Sequence, residues 1–150
     1  MKSISTKRFV SLHGFFALSY PENWINETDE AGHYLFYNQN GGQGVLRVMV
    51  LANEFSGEEA EKLMYEEIYK QNNSFNPTMY ASSNKKFIAY SKIHTINQQD
   101  FKGNYWAIVN QRKVVLFVLT QQHALADLPQ SASEKETVEQ IIASLEFLAE

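Results

Sequence analysis

At 150 residues, with 44 % hydrophobic and 20 % charged side chains, the chain fits one globular domain spanning 1–150. A chain of this length buries about 68 to 70 % of its unfolded surface and needs no disulfide or metal as a staple. A net charge of −4 and an isoelectric point near 5.6 give no field to neutralise phosphates, which argues against a nucleic-acid partner. The absence of cysteine removes disulfides, thiolate metal sites and Cys nucleophiles together.

Residues 7–12 and 15–20 alternate as two strands, with Phe16, Leu18 and Tyr20 on one face and His13-Gly14 as the turn between them. Pro21 presets a further turn, and residues 25–31 read as a polar loop. Residues 34–37 and 45–51 form a second hairpin across Asn38-Gln39-Asn40-Gly41-Gly42. In its second strand Leu46, Val48 and Val50 share one face, and Val45, Arg47, Met49 and Leu51 the other. Ser56-Gly57-Glu58-Glu59 matches a capping box and predicts a helix over 57–71, with Ala60, Leu63, Met64 and Ile68 as its apolar stripe.

Residues 86–94, 103–110 and 113–120 follow as three strands of a meander, the last two joined around Asn110-Gln111-Arg112-Lys113. The run from Val114 to Leu119 is apolar on both faces, which an antiparallel strand tolerates only when each side is covered. After a loop over 121–132, Ser133-Glu134-Lys135-Glu136 forms a second capping box. It predicts a helix over 134–148 with Val138, Ile141, Ile142, Leu145 and Leu148 as its stripe. Two helices and about seven strands predict an α+β fold: a three-layer α/β/α sandwich with one helix on each face of an antiparallel sheet.

The motifs that accompany this order of elements resemble those of the PsbP-like α/β/α sandwich superfamily. Gly14-Phe15 precedes Pro21-Glu22-Asn23-Trp24 near the start, Tyr105-Trp106 lies in a late strand, and Ser144-Leu145-Glu146-Phe147 ends the closing helix. Within that group the chain looks most like uncharacterised bacterial members. It departs from the lipoprotein members in lacking a lipobox cysteine, and no transit peptide supports a photosystem role. Members of the superfamily are mostly binding and assembly factors, so the resemblance implies a non-enzymatic adaptor.

Groups with catalytic or metal-binding potential each have a plainer reading. His33 lies near Glu27, Asp29 and Glu30, but no His-x3-His or His-Glu-x-x-His spacing occurs, so no metal is expected. No Gly-x-Ser-x-Gly elbow presents a nucleophile, and Ser19 reads as a strand residue. Glu58, Glu59, Glu66 and Glu67 form the wet face of a helix. Gly41-Gly42-Gln43-Gly44 runs into a strand with no Lys-Ser or Lys-Thr after it, as a hairpin turn does and a phosphate loop does not.

The aromatic residues are the best binding candidates, because Tyr and Trp combine an apolar body with a polar handle. Trp24 is expected to plug one end of the sheet. Tyr34, Tyr37, Trp106 and Arg112 are expected to form the contact surface if they prove accessible and contiguous. The chain is therefore read as a protein-binding or assembly module, without cofactor, whose partner is another protein or a second copy of itself. The alternatives are a small apolar-ligand carrier with a groove between sheet and helix, and a hydrolase with an unrecognised site. The basic start has no apolar h-region, and no run reaches the roughly 18 apolar residues of a membrane span, so a cytoplasmic location without membrane insertion is expected.

Overall fold

The computed structural model describes residues 5–40, 42, 44–82 and 85–148. Ten strands and two α-helices succeed one another as β1 (Thr6–Val10), β2 (Phe16–Pro21), β3 (Ile25–Thr28), β4 (Tyr34–Tyr37), β5 (Gly44–Ala52), α1 (Ala60–Gln71), β6 (Thr78–Ser82), β7 (Lys85–Ile96), β8 (Gln99–Val109), β9 (Lys113–Gln122), α2 (Pro129–Ala143) and β10 (Glu146–Phe147). Seven of the strands form one sheet in the order β3-β4-β5-β9-β8-β7-β6, and β1, β2 and β10 form a second, smaller one. All the pairings are antiparallel.

Strand β9 is central because its sequence leaves it no wet side. Val115, Phe117 and Leu119 join Trp106, Ile108, Leu46 and Val48 in the larger core, beneath α2 and the small sheet. Val114 and Leu116 turn the other way and meet Met64, Tyr65 and Ile68 of α1, together with Ile88, Ala107 and Val109. The two helices therefore cover opposite faces of the large sheet, as the doubly apolar run requires. Sequestering a side chain such as Phe117, fully buried here, stabilises by about 1.5–3 kcal/mol.

The small sheet shares the outer layer with α2. Phe16, Leu18 and Tyr20 of β2 point down onto the large sheet, and Phe9 of β1 meets the Phe36 ring edge-on at 5.3 Å. Trp24, 7 % exposed, closes this core as expected. Ser144 joins α2 to β2: its Oγ accepts from the Ser19 amide at 2.8 Å and donates to the Ile141 carbonyl at 2.6 Å.

The element boundaries differ from expectation in several places. Residues 25–28 are the edge strand β3 rather than part of a polar loop, and β6 fills a stretch to which no element was assigned. Helix α1 starts at Ala60 with Glu59 as N-cap and no side-chain capping bond, so the box at Ser56 does not form. Gly57, at φ 91, has already turned the chain away from helix there. Helix α2 starts at Pro129, which places Ser133 through Glu136 inside it; Pro at the first helical position loses no hydrogen bond. It ends at Ala143, so residues 146–147 pair with β2 as a strand instead of continuing the helix.

Gly41 and Gln43 of the glycine-rich turn lie outside the described residues. Gly42 donates to the Asn38 carbonyl at 3.0 Å, and a Cβ on it would lie 2.2 Å from that oxygen, so the close return demands glycine.

Candidate functional site

The four residues expected to form a contact surface are dispersed. Trp106 is 3 % exposed, on the core side of β8, which removes it as an exposed contact. Tyr34 is half-buried against Phe9, and its hydroxyl accepts from the Leu12 amide at 2.9 Å. Tyr37 lies on the opposite face of β4 and donates to Glu27 at 2.7 Å. Arg112 sits in the β8–β9 turn, where its carbonyl accepts from the Asn53 amide at 2.8 Å. A contiguous patch does not form because β4 alternates its tyrosines between faces and Trp106 lies under α2.

The loop around His33 is held as a turn. The Asp29 carboxylate accepts from the amides of Ala31 and His33, both at 2.9 Å, with Arg47 at 3.5 Å. These contacts, led by the His33 amide, hold the Asp29 carboxyl below its ordinary pKa. Among the described residues, no three His, Cys, Asp or Glu side chains converge as metal ligands, and no helix is long and apolar enough to cross a membrane.

What the structure does assemble is a groove beside α2. The helix and the small sheet cover the β4, β5 and β9 side of their face, and strands β6 to β8 extend past that cover. The main groove has a volume of about 300 Å3, and a narrower extension of about 160 Å3 runs under the end of α2. Both share Phe87, Trp106 and Glu139, so they form one continuous depression.

Its floor is Phe87, Ala89 and Asn104 with one edge of Trp106, and Lys135 and Glu139 of α2 form one rim. On the other side Tyr80, 48 % exposed, stacks on Phe87 with centroids 5.3 Å apart and planes 26° from parallel. The inner end is closed by Lys85, whose ammonium donates to the Ala143 carbonyl at the C-terminus of α2. Burial pulls the Lys85 pKa down, and Glu146 partly restores it.

Asn104 is the unusual member. Only 6 % of the residue is exposed, and among the described residues its side chain makes no hydrogen bond. Since no buried side-chain nitrogen or oxygen among the described residues lacks a partner, its amide opens to solvent in the groove, where it is free to pair with an external group. The sequence signal for this site was thin: Tyr80 fell outside every predicted element, and Asn104 reads as an ordinary strand residue.

Over residues 4–150 the chain matches the model of a domain of unknown function, DUF3805, and it belongs to that family. No curated protein matches it. Among solved structures it is similar to a protein of Bacteroides thetaiotaomicron with a TM-score of 0.75 and 21 % identity, over 96 % of this chain and 49 % of that one. The chain thus spans about half the length of that relative.

It is also similar to the cyanobacterial PsbP protein CyanoP of Synechocystis, with a TM-score of 0.62 and 11 % identity over 98 % of this chain and 95 % of that one. LpqN, involved in cell envelope biogenesis of Mycobacterium tuberculosis, gives a TM-score of 0.57 and 8 % identity over 99 % and 93 % of the two chains. The fold is PsbP-like, with uncharacterised bacterial relatives.

Proposed function

We propose that this chain is a non-enzymatic protein-binding module that takes an extended segment of its partner into the groove between α2 and strands β6 to β8. The observation that carries this reading is Asn104. A carboxamide offers a donor and an acceptor side by side, which matches one peptide unit. Tyr80, Phe87 and the Trp106 edge supply apolar surface for the flanking side chains, and Lys135 and Glu139 supply a polar rim, the usual anatomy of an interface.

The test is capture of partners by the wild-type chain and by Asn104→Leu, which keeps the volume and removes the hydrogen bonds. A specific partner, reconstituted from purified components, should bind about tenfold more weakly to the variant, the equivalent of about 1.4 kcal/mol. Thermal melting should not fall. A dimer that dissociates on the same substitution would identify the partner as a second copy of the chain. Equal capture by both proteins would defeat the assignment of the groove.

A further inference from the structure

The opposite face of the sheet carries a second opening. Helix α1 lies over β7 and β8 and leaves the adjoining surface of β9 and β5 beside it uncovered. The result is a slot of about 330 Å3, at the lower end of the roughly 300–1,000 Å3 usual for small-molecule sites. Met64 and Ile68 line it from the helix, and Ala107, Val114 and Leu116 from the sheet.

One end of the slot is polar. Asn72, 7 % exposed, donates to the Ile68 carbonyl at 2.9 Å and lines this end together with Tyr90. Tyr90 stacks on Tyr105 at 4.9 Å and 5°, and His94 Nε2 lies 2.6 Å from the Tyr105 hydroxyl. The Lys92 ammonium stands over three rings, 4.9 Å from the centroid of Phe75, 5.3 Å from Tyr105 and 5.5 Å from Tyr90.

Aromatic faces attract a cation without neutralising it. Among the described residues Lys92 has no carboxylate partner. Gly103 helps build this end, since a Cβ there would lie 2.9 Å from the Tyr105 ring.

We infer that the slot binds an amphipathic carboxylate, a single alkyl chain with an anionic head, placing the head at Lys92 and Tyr90 and the chain between α1 and β9. Lys92 supplies the counter-ion. The Tyr90 phenol donates its proton to a carboxylate oxygen. Glu54 borders the far end and disfavours the reverse orientation.

The test uses decanoate below its micelle-forming concentration, with methyl NMR of Met64 and Leu116 as the readout. Saturable shifts at both methyls are expected, with decanol binding at least about tenfold more weakly. Lys92→Met should bring decanoate to the level of decanol, and Lys92→Arg should retain binding. Asn104→Leu, on the other face, should leave decanoate binding intact, so failure of the peptide groove and failure of the slot are separable.

Equal binding of decanoate and decanol, no shift at either methyl, or an unaltered Lys92→Met would overturn the inference. So would co-sedimentation with phosphatidylglycerol vesicles that is lost in Lys92→Met, which would assign the site to a membrane lipid instead of a free acid.

Discussion

Trp24 and Trp106 were expected to differ, one a core plug and the other a surface contact, yet both are sequestered at 7 % and 3 % exposure. Each substitution to Ala should therefore cost about 3–5 kcal/mol in urea denaturation. Trp24 was legible because a tryptophan following a proline turn has little else to do. Trp106 was not: its alternation with Ile108 put it on the correct face, but only the lateral position of α2 decides whether that face is dry.

Tyr90 allows a prediction in pH. Burial, then the neighbouring Tyr105, pushes its phenol up to about 12 from an ordinary value of 10.0. A raised folded-state pKa on an acid means that the folded form prefers the neutral phenol. The stability this contributes is complete below pH 10 and declines as pH rises from 10 towards 12. Spectrophotometric titration of phenolate should lose its latest step in Tyr90→Phe, and the alkaline fall in melting temperature should become shallower.

At the level of elements, the apolar strands and both helices could be read because their periodicities are strong. The edges could not. β3 consists of Ile25, Asn26, Glu27 and Thr28, a composition with weak strand propensity, and it is held in place by pairing with β4. The five-residue β6 is likewise defined by its register against β7.

The helix starts misled because capping-box residues are also common on a helix's wet face. Since Ser56 caps nothing, Ser56→Ala should change stability by less than about 0.5 kcal/mol, where a true N-cap would lose about 0.5–2. The real N-cap of α2 is Leu128, 40 % exposed, extended at φ −71 and ψ 149, and without a side-chain bond. Leu128→Asp should stabilise by about 1 kcal/mol, read as an upward shift in the urea midpoint at unchanged slope.

For the whole molecule, the three-layer architecture followed from one observation, the doubly apolar Val114–Leu119 run. The two openings did not, because each exists only where a helix stops short of covering its face. That offset is a matter of packing between elements far apart in sequence, as Asn104 and Lys92 illustrate. Neither residue belongs to a motif, and each becomes distinctive only through its neighbours in space: Asn104 opens into the groove, and Lys92 stands over three rings with no carboxylate partner among the described residues.

The placement of β2 between β1 and β10 has a kinetic consequence. Ser19 and Ser144, 125 residues apart, meet in the clasp that seals the small sheet, so the aromatic cluster beneath it cannot close until the segment carrying Ser144 is available to the fold. Contacts of such separation are among the last a folding chain makes, because loop closure must be achieved first. Leu145→Ala should then cost about 2–5 kcal/mol, appearing chiefly as faster unfolding with the refolding rate nearly unchanged. Stopped-flow chevrons would show it; a matching loss in the refolding limb would mean that the ends of the chain find each other early.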